Sequence, residues 1–480
     1  RMPPLVGRLL PRPPRLCYKR SMVSAHTPSV RSVNRVGPLS AITLSLACLA
    51  CAALASCRLE AGRQPGAGNA ATAVAAEWAP APLSGRPRVQ EPAVYRDDTP
   101  AAVERRLWQT ASRLAASLSD QALVGQVLMV GVPEVASLSA ASLAWLRAIQ
   151  PGAILLFRYN LPAGIAALQA YTSLLAGAGG GLRPFLAIDH EGGTVYRFGD
   201  ETTRLPSAHR LAAAPRAAEL ASLTGRIAAW ELAGLGFSLN LAPIVEAASG
   251  PGAVFLEFRA WGSVPLQAAA HGRDYIQASQ AAGLAAAAKH FPGSGGGDPH
   301  QALASLPGDA ASIRQRYLEP FRLALDSQPA AVILSHVRVP AFDDSQVATF
   351  SASLVDTILK GELGFRGLVL SDDLFMRALA DSGSLTRRAS LALQAGVDML
   401  MLSSLEEAVA VHANLVAALR AGQLERARLL DAATRCLAQK LRFLLINGQG
   451  GPGIDRRLSA AAQAKLLAAN SARLQAMLGD

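Results

Sequence analysis

Two polar stretches stand out in a chain whose background is apolar. One is Lys289-His290-Phe291-Pro292-Gly293, followed after a glycine-rich run by Asp298-Pro299-His300. The other is Ser371-Asp372-Asp373-Leu374. A carboxylate beside a reacting centre can act as a nucleophile. A histidine can donate and recover a proton near neutral pH. Together they are the equipment for splitting a glycosidic bond. Asp298 lies two positions before His300, where it can orient the imidazole and favour its charged form. Read without further context, each piece has a plainer alternative. The Asp372-Asp373 pair could cap a helix or bind a metal, and His300 could sit in a surface loop. The glycine run lacks the Lys-Ser/Thr spacing of a phosphate-binding loop.

A third polar stretch, Asp189-His190-Glu191-Gly192-Gly193, also follows an apolar run. Its carboxylates suit the hydroxyls of a sugar. Arg158, Arg197, Arg259 and Lys289 fall near strand ends or loops and could bind a hydroxyl, an acetamide oxygen or a carboxylate. Each could equally pair with a neighbouring acid. No strong metal-ligand spacing occurs, and neither a metal nor an organic cofactor is expected.

Groups so far apart in sequence need a scaffold that gathers them. Short apolar runs begin at Ala153, Pro184, Phe237, Ala285, Ala331, Gly367 and Val397, and longer helical patterns such as 211–235 and 266–284 separate them. Strand-helix alternation implies parallel strands. About seven or eight strands within one domain predict a single (β/α)8 TIM-like barrel with a helical C-terminal extension. In that architecture chemistry collects at the C-terminal strand ends. Asp189, Asn240, His290, His336 and Asp372 all fall there.

The expected division is a leader at 1–57, a flexible linker at 58–100, the barrel at 101–447 and a helical extension at 448–480. The formal charge of +11 misleads. Arg1 to Ser56 holds eight of the 46 basic residues and no acidic one, so the rest carries 38 basic residues against 35 acidic. A nearly neutral body argues against nucleic acid as a partner. Arg31 and Arg35 precede an apolar run from Leu39 to Ala55 that ends Leu54-Ala55-Ser56-Cys57. This pattern reads as a secretory signal. Its last four residues resemble a bacterial lipobox, with Cys57 as the lipidated residue; a plain cleaved signal or an uncleaved anchor is the alternative. The expected address is membrane-tethered by lipid, at the periplasmic face of the outer membrane, or else free in the periplasm or secreted. Of the five cysteines only Cys436 lies in the body, which excludes an intramolecular disulfide there.

The ordered set of motifs resembles glycoside hydrolase family 3, in its bacterial β-N-acetylhexosaminidase branch. The landmarks are ILLFRYN at 154–160, AIDHEGGTVYRF at 187–198, TRLP at 203–206, NLAP at 240–243, RAWG at 259–262, KHFPG at 289–293, SHV at 335–337 and LGFRGLVLSDDLFM at 363–376. The resemblance implies a retaining exo-β-N-acetylglucosaminidase acting on peptidoglycan fragments or chitooligosaccharides. It assigns Asp372 as nucleophile, His300 as acid/base and Asp298 as its partner. It further implies that Asp189, Arg197, Arg259, Lys289 and His290 hold the non-reducing sugar, and that Asp373 is structural. A β-glucosidase or other exo-glycosidase, a phosphorylase, and an inactive lipid-anchored saccharide-binding protein are the rival readings. The chain departs from the family in three places. Ser294-Gly295-Gly296-Gly297 stands where His-Gly-Asp-Thr is usual, in a loop about two residues shorter. Glu246 replaces an aspartate, and Phe258 occupies a place that is usually polar.

Overall fold

The computed structural model describes residues 99–296, 298–445 and 458–479. The leader, Cys57 and all but the last two residues of the expected linker lie outside the described residues.

Eight parallel strands close into a barrel. They are β1 (Leu128–Gly131), β2 (Ala153–Leu156), β3 (Phe185–Ile188), β4 (Leu239–Asn240), β5 (Ala285–Phe291), β7 (Ala331–Leu334), β10 (Leu368–Asp373) and β11 (Met399–Leu402). A separate small sheet is made of β6 (Ala304–Ser305), β8 (Val337–Val339) and β9 (Asp343–Val347). The barrel order is β1-β11-β10-β7-β5-β4-β3-β2, so each new strand is laid beside its predecessor and the last closes on the first. The closure pairs Leu128 with Leu400 and Val130 with Leu402.

The strands read as unbroken apolar runs because both faces are buried. Met129, Leu155, Phe185, Ala187, Leu239, Ala285, Ala287, Ile333, Leu370 and Met399 pack together inside the barrel. Their alternates, including Leu128, Ile154, Leu186, Ala286, Val332, Val369 and Leu400, join the larger core shared with the helices. This is the two-residue period of a strand expressed as two hydrophobic clusters.

The expected barrel is thus present, with some differences in its parts. β1 was not among the anticipated strands; a single residue separates it from the helix Asp120–Gln126, so its apolar run reads as a continuation of that helix. The helix anticipated over 211–235 is two helices, Ala208–Ala212 and Ala217–Gly234. Pro215 lies in the break, where its missing N–H interrupts the helical ladder. The small sheet was also not foreseen. Beyond the barrel lie helices Leu405–Arg420, Arg426–Lys440 and Ala460–Leu478. Serines at 119, 139, 207, 384, 404 and 459 cap helices by accepting a backbone N–H. Cys436 is buried and free. Among the described residues no helix is long and apolar enough to cross a membrane.

Two ladders of the barrel lose register, and both do so at the polar motifs. The β5–β7 pairing shifts between Lys289 and Phe291, and the β10–β11 pairing shifts between Leu370 and Asp373. Such irregularities redirect side chains at the rim of a barrel.

Candidate active site

Lys289 and His290 are successive residues of β5, and they serve two different groups. The buried Lys289 ammonium lies 2.7 Å from Asp189 Oδ1 and 2.7 Å from Glu191 Oε1. Glu191 also accepts two hydrogen bonds from Arg259, at 3.0 Å from Nε and 2.8 Å from Nη2. Arg197 faces the other Asp189 oxygen at 3.9 Å. Two carboxylates are therefore met by three cations in one cluster. Burial would raise the Glu191 carboxyl, but Lys289 and Arg259 outweigh it and hold the group well below its ordinary range. Burial would likewise weaken the Lys289 ammonium, and Asp189 with Glu191 holds its pKa above the ordinary value instead. Glu191 and Lys289 thus stay charged, and Asp189 and Arg197 lie at the more exposed edge of the cluster.

His290 turns the other way. Its ring Nδ1 is 2.8 Å from Glu246 Oε1, and its backbone N–H donates to the same oxygen at 3.0 Å. The backbone N–H of Ser294 donates to Glu246 Oε2 at 2.6 Å, and its hydroxyl to Oε1 at 2.8 Å. One buried carboxylate thus gathers the histidine and the start of the glycine-rich loop. Burial pushes the Glu246 carboxyl up, while His290 and Ser294 more than offset this and lower it. Gly295 sits at φ +67°, and a Cβ there would fall 2.6 Å from Val337 Cγ2. The loop therefore lies directly against the small sheet, and only glycine fits.

Asp372, the penultimate residue of β10, lies in a cleft whose walls include Phe255, His290, Ser294, Pro299, Ala304, Ser335 and His336. One of its oxygens accepts the Asp373 N–H at 2.9 Å. The Asp373 carboxylate points elsewhere, accepting from Phe375 N–H at 3.2 Å and Ser403 N–H at 3.3 Å. His336 bridges the floor. Its Nε2 donates to the Asp373 carbonyl at 3.0 Å, and its Nδ1 lies 2.7 Å from the Thr349 hydroxyl. Burial lowers the His336 pKa despite the nearby Asp372 charge, so the ring is neutral.

Asp298 and His300 form a pair, with Nδ1 and Oδ1 2.8 Å apart. Asp298 also accepts the His300 backbone N–H at 3.0 Å and the Gln301 amide at 3.1 Å. Slight burial would raise its pKa, but these donors lower it. An ionised carboxylate can only accept, so Nδ1 carries the proton and Nε2 is the outward atom. The His300 side chain is 66% exposed. It does not line the Asp372 cleft, although its neighbour Pro299 does. The Pro299 carbonyl accepts the Ala378 N–H at 3.1 Å, which ties this loop to the segment after β10.

The structure thus brings Asp189, Arg197, Arg259 and Lys289 together around Glu191, and brings His290 and Asp372 to one cleft. Asp298 and His300 stand at its edge. Reasoning from sequence took the Glu191 carboxylate, with that of Asp189, as an acceptor for sugar hydroxyls; in the structure it is the hub of the ion cluster instead. Glu246, Ser294 and Thr349 gave no signal, because their roles come from contacts distant in sequence. Among the described residues no group of three or more His, Cys, Asp or Glu side chains could hold a metal ion.

A barrel with this motif order can be compared with known proteins. The glycosyl hydrolase family 3 N terminal domain matches residues 121–438. The chain belongs to glycosyl hydrolase family 3. A β-hexosaminidase of Alkalilimnicola ehrlichii is 37% identical over 231 residues, which cover 47% of this chain and 66% of the relative. The family 3 β-N-acetylglucosaminidase of Paenibacillus sp. str. FPU-7 superposes with a TM-score of 0.67 at 29% identity, covering 75% of this chain and 69% of the other. NagZ from Neisseria gonorrhoeae, solved in complex with N-trifluoroacetyl-D-glucosamine, gives a TM-score of 0.57 at 25% identity and covers 73% and 98%. As a glycoside hydrolase of family 3, the chain carries its charged clusters at the barrel rim where this fold performs catalysis.

Proposed function

We propose that this family 3 hydrolase is a retaining exo-β-N-acetylglucosaminidase that releases terminal β-linked N-acetylglucosamine from peptidoglycan fragments or chitooligosaccharides. The observation that carries the reading is the cleft with Asp372 at its strand end, walled by His290 and by the Pro299 loop that bears the Asp298–His300 pair. The names of the similar hexosaminidases support the choice of sugar.

In the first step His300 Nε2 gives its proton to the glycosidic oxygen as the Asp372 carboxylate attacks C1. The C1–O bond breaks and a glycosyl ester forms. In the second step water attacks C1, its proton passes to His300, and the ester bond breaks to restore Asp372. Asp298 holds the imidazole by Nδ1 and stabilises its charged form. Because His300 faces solvent, the loop must bring the ring over the cleft for the first step. Asp189, Arg197 and Lys289 hold the hydroxyls of the terminal sugar, with His290 closing the wall beside them. Arg259 acts through Glu191. No cofactor takes part in this scheme. We further propose export and lipid attachment through Cys57, at the periplasmic face of the outer membrane.

The test is turnover of 4-nitrophenyl β-N-acetylglucosaminide by the protein from Arg58 onward, beside Asp372→Asn and His300→Ala. Loss of about 10³-fold or more in the first, and about 10²- to 10⁴-fold in the second, is expected. Unchanged turnover in His300→Ala would remove that residue from the mechanism. Preference for the glucoside, or sugar 1-phosphate formed on adding phosphate, would replace the proposed activity with one of its rivals.

A further inference from the structure

The ion cluster around Glu191 is supplied by Lys289 of β5 and by two loops, and both loops lean on the last helix, Ala460–Leu478. The first loop runs from Asp189 to Ser207 and is folded on itself. Glu191 N–H and Gly192 N–H donate to the Val195 carbonyl at 3.0 and 3.2 Å, and Gly193 N–H donates to the Leu205 carbonyl at 3.0 Å. Its far end is gripped by Glu231, which is buried in the Ala217–Gly234 helix. One Glu231 oxygen accepts the Thr203 N–H at 2.8 Å. The other accepts the Thr203 hydroxyl at 2.6 Å and the Asn470 amide at 2.8 Å. Gln463 donates to the Glu231 carbonyl at 3.1 Å. Gly234 makes room for this, since a Cβ there would fall 2.2 Å from Gln463 Oε1.

The second loop carries Arg259, and Trp261 follows closely. Trp261 shares one buried apolar cluster with Leu205 of the first loop and Leu474 of the last helix. A buried carboxylate is a poor way to gain stability, because apolar packing does as well. It is a good way to fix one geometry, since its donors must all be in place.

We propose that Glu231, Thr203 and Asn470 are positioning residues for the sugar-holding cluster, so that the last helix sets the loop bearing Asp189, Glu191 and Arg197. The inference rests on the reading that this cluster holds the terminal sugar. The experiment uses the full chain with Asn470→Leu and Thr203→Val, and with Arg473→Ala as a control on the exposed face of the same helix. Two quantities are followed: steady-state kinetics on 4-nitrophenyl β-N-acetylglucosaminide and deuterium exchange of the amides at 191–205.

In Asn470→Leu and Thr203→Val, KM rises about fivefold or more with kcat within about twofold, as expected when ground-state and transition-state binding are lost together. Exchange at 191–205 speeds up in both, and the control changes neither quantity. Pairing Glu231→Gln with Asn470→Asp restores a donor-acceptor contact across the node and returns KM toward the wild-type value. A lowered melting temperature with KM and loop exchange unchanged would overturn the proposal and leave the node as a stabiliser only. Should the wild type fail to turn over the glucosaminide, the functional reading falls, and the exchange result alone decides whether the last helix holds the loop.

Discussion

Glu191 and Glu246 each gather several groups of the site on a single carboxylate. Glu191 is enclosed by Lys289 and Arg259, so Glu191→Gln leaves the buried Lys289 and the partly buried Arg259 short of a partner. Breaking such a pair from one side costs about 3–5 kcal/mol. Urea denaturation of Glu191→Gln should show a loss of that size, and kcat/KM should fall with it because Lys289 also holds Asp189. Glu246 stands where the family resemblance leads one to expect an aspartate, and Ser294 where it leads one to expect a histidine. The structure joins the two departures directly, with the longer acid reaching the shorter loop residue. A double-mutant cycle of Glu246→Asp and Ser294→Ala should therefore give a coupling energy of about 0.5–3 kcal/mol. Strict additivity would mean that the two departures arose independently in physical terms.

At the scale of elements, the loop after β5 is confined by the small sheet. Gly295→Ala sets a methyl group 2.6 Å from Val337 in a left-handed backbone conformation. It should lower kcat/KM on the glucosaminide by about tenfold or more, because displacing a catalytic group by about 1 Å can cost 10²-fold. Wild-type kinetics in that variant would show that the loop tolerates displacement. The barrel strands were legible from sequence because both their faces are apolar. β10 was legible with its chemistry attached, since Ser371-Asp372-Asp373 follows the apolar run without a break. β1 was not, because its apolar run follows the helix Asp120–Gln126 after a single residue and reads as part of it. The small sheet was hidden for another reason: Asp343 to Val347 is polar at most positions and owes its strand form to pairing with β8. Pro215 was visible in the sequence, yet the helical pattern on both sides masked the break it makes.

For the molecule as a whole, buried histidines set the acid limit of stability. Burial lowers the His190 pKa to about 3, aided by the Arg197 and Arg204 charges, and burial lowers that of His336 as well. Both rings are neutral in the fold and titrate near 6.5 when unfolded. Below that value the unfolded chain takes up protons that the folded chain refuses. Stability is therefore full above the unfolded pKa and falls as the pH drops from about 6.5 toward the folded values, by up to about 1.4 kcal/mol per pH unit for each ring. Denaturant midpoints measured between pH 7 and pH 4.5 should decline along that slope, and His190→Phe should make the decline shallower. A flat profile across this window would show that the buried rings do not govern it. Of the site, the groups that do the proposed chemistry were readable as motifs. The groups that hold them were not, since Glu231 and Asn470 meet across more than 200 residues of sequence.

The pairing of β1 with β11 has a consequence for how the chain is made and moved. Leu128 finds its partner only when Leu400 exists, so a chain growing from its N-terminus cannot seal the barrel until synthesis is nearly done. Contacts this distant in sequence also form late in folding. A nascent chain cut short before β11 should show no cooperative unfolding transition, and calorimetry of a chain ending at Gln394 checks this. For the export proposed above, late closure would be an advantage. Under that proposal, β1 would enter an export channel while β11, the strand that locks it, is still on the ribosome.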